Sequence, residues 1–169
     1  MMMKDLDELI QQRLVQMLAN NPLRINYYER YQKIIEEYNS EQDRATIEKT
    51  FMDLMDLANR MNNEEQRYAR EGFSSDDELS IYDLLFKENL STQDIKAIKE
   101  VSVDLLTKIK NKIKELDHWA DKVETKATID NLIRDTLWRD LPSSFDEQQI
   151  QEYRSKVYEY VYMHYRGVA

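Results

Sequence analysis

The chain contains few of the residues that form the turns of sheet proteins. Its 169 residues include two glycines, two prolines and no cysteine. A β-sandwich or β-barrel needs many turns that contain glycine or proline, so this composition is evidence against both folds. Without cysteine the chain has no disulfide, no thiolate metal site and no cysteine nucleophile. Two isolated glycines also provide neither a phosphate-binding loop nor a dinucleotide-binding fingerprint.

Long apolar runs are lacking too, whereas charge is abundant. Charged residues make up 34% of the chain, the net charge is −9 and the mean hydropathy is −0.78. No apolar run approaches the roughly 20 residues of a membrane span, so we expect no membrane association. An acidic chain binds nucleic-acid phosphates poorly unless its cations are clustered locally. The composition therefore predicts a soluble, cytoplasmic and mostly helical protein.

Apolar residues recur at spacings of three and four through most of the chain, which is the pattern of amphipathic helices. The first stripe stops near residues 20–22, the second is broken at 39–40, and the third can run on to Glu71 and end at Gly72. The pattern predicts an all-α fold, an irregular bundle of about seven helices with short connections. Three capping boxes predict helix N-termini: Ser75 with Glu78, Ser91 with Asp94, and Ser144 with Glu147.

Two short patterns match catalytic motifs, but neither has the context that the chemistry needs. Glu115 and His118 form one Glu-x-x-His, whereas di-iron bundles need two such motifs and further inward-facing glutamates. Asp121, Glu124 and Lys126 match the acidic-plus-Glu-x-Lys set of many nucleases. That set works on a strand, where alternate residues share a face, and on a helix residues two apart diverge by about 200°. We therefore predict no catalytic residue, no metal site and no cofactor site in this chain.

A lysine-rich helix is the first candidate for a binding surface. Between residues 96 and 114, six lysines are opposed only by Glu100 and Asp104. Such a stretch is either the solvated face of an amphipathic helix, with its lysine stems along apolar surface, or the cationic footprint of a phosphate-binding surface. The candidates for weak, electrostatic contact with duplex DNA are Lys96, Lys99, Lys108, Lys110, Lys112 and Lys114.

The last helix has an unusually broad apolar and aromatic arc. At about 100° per residue, Ile150, Val157 and Val161 lie on one side, and a row of tyrosines widens that side to about twice a usual core-facing stripe. Either the helix is buried on two sides, or the tyrosine row is exposed and faces a partner, because Tyr combines contact area with a polar tip. The candidates for a partner interface are Tyr158, Tyr162 and Tyr165.

Five segments of the chain follow one another in a fixed order: residues 67–72, residues 77–85, a capped lysine-rich helix over 91–116, a helix over 126–141 just before a proline, and a closing Tyr-rich helix. Together they resemble the C-terminal helical region of the restriction (motor) subunit of type I restriction–modification enzymes. These segments follow one another in the order and spacing of that family, over roughly residues 64 to 166.

The resemblance implies a role in assembly. In that family the full subunit carries a nuclease domain and two helicase-type ATPase domains, and their motifs are missing from this sequence. By resemblance, residues 64–169 form a non-catalytic assembly domain and residues 1–63 a helical spacer or support, as separate segments or as one compact unit. The expected partners are the methyltransferase and specificity subunits, while ATP and Mg²⁺ serve only the missing domains. A nucleic-acid-binding helical module and a helical adaptor unrelated to restriction are the alternatives.

Overall fold

Eight α-helices make up the computed structural model, which describes residues 2–40 and 43–167. The chain is 84% helical and seven of these helices have at least seven residues, so the all-α prediction is confirmed. No strand occurs in the described ranges, and none of their helices has both the length and the apolar character needed to cross a membrane. The helices are α1 (Met2–Asn20), α2 (Ile25–Ser40), α3 (Arg44–Glu65), α4 (Arg67–Arg70), α5 (Asp76–Leu85), α6 (Thr92–Glu115), α7 (Val123–Asp140) and α8 (Glu147–Tyr165).

The chain divides into two compact units, Met1–Asp76 and Asp77–Ala169. In the first unit, α1, α2 and α3 pack on one another, and each contributes one apolar stripe with the spacing of three and four residues that predicted it. The stripes meet in a core formed by Ile10, Leu14, Met17, Ile34, Leu54, Leu57 and Met61.

A buried charged network ties the first unit together around Arg24, which ends the 3₁₀ turn Pro22–Arg24 and is 3% exposed. The Arg24 Nε donates to Glu64 Oε2 at 2.8 Å, and the two terminal nitrogens donate to the Asp76 carboxylate at 2.9 and 2.6 Å. Arg67 Nε donates to the other Glu64 oxygen at 2.8 Å. Burial raises the pKa of Glu64, but the hydrogen bonds and charges of Arg67 and Arg24 outweigh it, so this pKa lies below its usual value.

In the second unit, α7 packs against both α6 and α8. Arg154 of α8 binds the carboxylate of Asp130 on α7 through two hydrogen bonds of 2.9 and 2.6 Å, which fixes the two helices in register. Fully buried apolar side chains fill the interior: Leu79, Ile81, Leu85, Ile98, Leu105, Ile109, Ile129, Ile133, Leu137, Val157 and Val161.

The predicted end of the third helix needs correction. The third helix does not run on to Glu71, because the backbone leaves the helical region at Gln66 (φ −106°, ψ 2°) and α4 follows as a separate short helix. Gly72 does end this segment, as predicted, with a left-handed φ of +89° that glycine adopts without strain.

The capping residues differ from prediction at the last helix. Ser91 caps α6 as expected, since its side chain accepts a hydrogen bond of 3.0 Å from the backbone N–H of Asp94. The predicted box of Ser144 with Glu147 is wrong: α8 begins at Glu147, and its cap is Asp146. The Asp146 carboxylate accepts from the N–H of Gln149 at 2.8 Å, and the Gln149 side chain accepts from the N–H of Asp146 at 3.1 Å. A carboxylate directly before the helix satisfies the first free N–H groups better than a serine two residues earlier.

Candidate functional site

The three tyrosines predicted as a partner interface share one flank of α8. Ile150, Val157 and Val161 form the core-facing stripe of that helix and are at most 7% exposed. Tyr158, Tyr162 and Tyr165 lie beside this stripe, and all three are half-buried, between the two alternatives of a buried flank and a fully exposed tyrosine row. The flank is covered because a buried tryptophan packs against it.

That tryptophan is Trp119, which is fully buried in the 3₁₀ turn Trp119–Asp121 before α7. Its ring lies 6.5 Å from the ring of Tyr158 and 6.1 Å from that of Tyr162, measured between centroids, and both pairs are nearly perpendicular at 86° and 85°. Edge-to-face contacts of this kind are the preferred geometry of aromatic pairs. The indole N–H also donates to the backbone carbonyl of Tyr165 at 2.9 Å. Trp119 therefore positions the whole tyrosine row.

The hydroxyl groups divide the row into two kinds of residue. The Tyr165 hydroxyl donates to Asp77 Oδ2 at 2.6 Å, and burial, followed by this bond, raises the pKa of Tyr165. Tyr158 and Tyr162 stack on each other with centroids 6.4 Å apart, and the guanidinium of Arg166 lies 5.7 Å from the Tyr162 centroid. Within the part of the chain that the structure describes, the hydroxyls of Tyr158 and Tyr162 make no hydrogen bond. Tyr165 is thus internally bonded, whereas Tyr158 and Tyr162 retain free polar tips.

The six candidate lysines do not form a single surface, because α6 separates them into two rows. Residues three or four apart share a helix face, and residues two apart lie about 200° from each other. Lys108 and Lys112 therefore belong to one flank, which we call the paired row. The row formed by Lys96, Lys99, Lys110 and Lys114 lies on the order of 160° further round the helix, and we call it the outer row.

The two rows also differ in their neighbours. In the paired row, Lys108 Nζ lies 2.8 Å from Asp104 Oδ2, and Lys112 Nζ lies 3.3 Å from Glu115 Oε2. Such exposed pairs add little stability, but each places a negative charge beside its lysine. The local positive charge of this row is therefore largely offset.

In the outer row, two ammonium groups lie over aromatic rings, Lys99 at 5.6 Å from the Tyr82 centroid and Lys110 at 5.9 Å from the Tyr165 centroid. Lys110 Nζ is also 3.8 Å from Asp77 Oδ2, near the limit of an ion pair. The other two members, Lys96 and Lys114, are exposed, and no carboxylate among the described residues lies within 4.0 Å of either one.

The residues of the two catalytic patterns do not assemble into a cluster. His118 is exposed in a left-handed conformation (φ +48°), with its ring nitrogens 3.5 Å from Asp117 and 3.9 Å from Asp121. In residues 2–40 and 43–167, no group of three or more His, Asp or Glu side chains is placed to hold a metal ion.

Sequence reasoning missed the contacts that organise this region. Trp119 belongs to a 3₁₀ turn that precedes α7 and not to that helix. The contact between Asp77 and Tyr165 joins residues 88 positions apart, and no local spacing signals a pair so distant.

One protein family matches the chain across both units. The family model described as type I restriction enzyme HindI endonuclease subunit-like, C-terminal, matches residues 1–164. No curated protein and no solved structure matches the chain significantly.

Proposed function

This chain belongs to the family of type I restriction enzyme HindI endonuclease subunit-like C-terminal regions, and from that premise we propose that it is a non-catalytic assembly domain. It docks the ATP-dependent, DNA-translocating and cleaving subunit onto the methyltransferase and specificity subunits, in the cytoplasm. ATP and Mg²⁺ act in other domains of that subunit. The family match argues against the alternative of a helical adaptor unrelated to restriction.

The observation that carries the proposal is the pair formed by Tyr158 and Tyr162. Their rings are held by the buried Trp119, and their hydroxyls make no hydrogen bond within the described chain. Tyrosine and arginine are enriched among the residues that dominate binding energy at protein interfaces, and Arg166 lies over the Tyr162 ring. Side chains already fixed in place lose less conformational entropy when a partner binds.

The test is the affinity of the full chain for the purified methyltransferase–specificity complex, measured by titration calorimetry. We expect the double change Tyr158→Ala and Tyr162→Ala to weaken binding by tenfold or more, since truncating an interface anchor costs about 2 kcal/mol or more. Full affinity of this variant, when folded, would contradict the proposal.

Because both tyrosines are half-buried, the alanine variant also loses stability, so a second variant is needed. The double change Tyr158→Phe and Tyr162→Phe keeps the rings on Trp119 and removes only the free hydroxyls. It should keep the melting temperature within a few degrees and weaken binding several-fold. Tyr28→Ala, at a tyrosine of α2 that is 38% exposed, is the control and should leave affinity unchanged.

A further inference from the structure

We propose that the outer row of α6 binds the phosphate backbone of duplex DNA through two pairs of lysines, Lys96 with Lys99 and Lys110 with Lys114. The proposal is independent of the docking role, because it is carried by α6 and not by the tyrosines of α8. It is argued from the periodicity, the neighbours and the spacing of these lysines.

Periodicity places the two pairs on one face of α6. The positions 96, 99, 103, 107, 110 and 114 advance by three or four residues, so they form one continuous row. The middle of the row is uncharged, because Val103, which is 37% exposed, and Thr107 occupy it. The face therefore has cations at both ends and a neutral centre.

The neighbours leave this face more positive than the opposite flank. Lys108 and Lys112 lie within 3.3 Å of carboxylates, whereas the exposed Lys96 and Lys114 have no carboxylate among the described residues within ion-pair distance. Acidic groups also lie near the outer row, among them Asp77, 3.8 Å from Lys110, and the exposed Glu100, which follows Lys99 in sequence and lies four residues after Lys96. The carboxylate of Asp77 also accepts a hydrogen bond from the hydroxyl of Tyr165, so it is shared between Lys110 and Tyr165.

The spacing suits phosphates on opposite sides of a groove. At 1.5 Å per residue, the centres of the two lysine pairs are roughly 22 Å apart along the helix axis. That exceeds the ~12 Å width of the major groove of B-DNA, so a helix that crosses the groove presents its neutral centre to the opening and its cations to the two flanking backbones. Contacts of this kind carry no base information, so binding should show no sequence preference.

The experiment measures binding of the full chain to a fluorescent duplex of random sequence by anisotropy, over a series of salt concentrations from about 50 mM upward. Each neutralised phosphate contributes about −0.9 to the slope of log Kobs against log salt, so four contacts predict a slope of about −3.6. Binding that is undetectable at about 50 mM salt would overturn the proposal.

The chain offers a matched pair of variants on the same helix. Lys110→Gln with Lys114→Gln removes two charges four residues apart from the outer row, and Lys108→Gln with Lys112→Gln does the same in the paired row. The first variant should make the slope shallower by about 1.8, and the second should leave it unchanged. Equal effects of the two variants would mean that only net charge matters, and the proposal would be wrong.

Lys110 also contacts Tyr165 and Asp77, so its loss can disturb the fold. The variant Lys96→Gln with Lys99→Gln, at the other end of the row, avoids both contacts and should reduce the slope by the same amount. If this variant leaves the slope unchanged, the proposal that both ends of the outer row bind phosphates is wrong. Affinity for the methyltransferase–specificity complex should be unaffected by the change at Lys96 and Lys99, which keeps this proposal separable from the docking proposal.

Discussion

The indole N–H of Trp119 donates a hydrogen bond of 2.9 Å to the carbonyl oxygen of Tyr165, 46 positions along the chain. The bond joins the turn before α7 to the last turn of α8, where helix carbonyls have no intrahelical donor. One fully buried side chain therefore both closes the end of α8 and supports the rings of Tyr158 and Tyr162. The candidate docking surface is an outward extension of the core of this unit.

Trp119→Phe should therefore destabilise the chain by about 2 kcal/mol or more. The change keeps an aromatic ring but removes the donor to Tyr165 and leaves unfilled volume in a fully buried site. Urea denaturation followed by circular dichroism measures the loss. The control is Trp138→Phe, at a tryptophan that is 55% exposed, and it should change the free energy of unfolding by less than about 0.5 kcal/mol. Equal losses at the two positions would contradict the anchoring role of Trp119.

The sequence predicts well those features that depend on local spacing. The apolar stripes predict helices where the structure has α1, α3 and α6, and the cap at Ser91 and the stop at Gly72 are where the pattern puts them. These features are local because a helix face and a cap depend on residues within about four positions.

Features that join distant parts of the chain are not predictable in this way. The lysine rows are an exception: all six lysines lie between residues 96 and 114, and two residues of spacing turn Lys110 away from Lys108 and Lys112. The exposure of the tyrosine row depends on Trp119, and the pairing of Arg24 with Glu64 spans 40 positions. Helical periodicity alone separates the lysine rows, but nothing in the sequence indicates that Arg24 is buried.

Removing Arg24 should be one of the most damaging single changes in the first unit. Arg24→Met leaves the buried Glu64 with Arg67 as its cationic partner and removes a cation that binds Asp76. Loss of one partner of a buried ion pair costs about 3–5 kcal/mol. The matched control is Arg44→Met, which removes an ion pair with Glu48 whose side chains are 93% and 68% exposed, and it should cost less than about 0.5 kcal/mol. Thermal unfolding of the two variants at one pH decides between these expectations.

Acid should weaken the first unit through Glu64. The pKa of this group is lower in the folded chain than in the unfolded one, because Arg67 and Arg24 together outweigh the effect of burial. Its contribution to stability is therefore fully present above the unfolded pKa of about 4.3 and is lost as the pH falls through the lower folded pKa. Unfolding by urea at neutral pH and at several values below pH ~4 measures this loss.

Glu64→Gln separates this contribution from that of the other carboxylates. The variant should be less stable than the parent chain at neutral pH, and the difference should shrink as the pH falls, because the parent then loses its own charge at this position. A difference that is constant from neutral to acid pH would show that the ionisation of Glu64 does not contribute.

Stability measurements on variants of Ser144 and Asp146 distinguish a serine cap of α8 from an aspartate cap. Asp146→Ala removes the acceptor for the N–H of Gln149 and should cost about 1 kcal/mol. Ser144→Ala should change stability by less than about 0.5 kcal/mol, because the Ser144 side chain makes no hydrogen bond with the described residues and its backbone carbonyl, which accepts from Lys87, is kept. Asp146→Asn keeps an acceptor at the cap and should recover most of the loss. Gln149→Ala should cost more stability than the loss of its bond to the N–H of Asp146 alone, since the Gln149 side chain also accepts a hydrogen bond of 3.0 Å from Lys87. Melting temperatures of the four variants rank their stabilities. A larger loss of stability from Ser144→Ala than from Asp146→Ala would show that Ser144 is the cap.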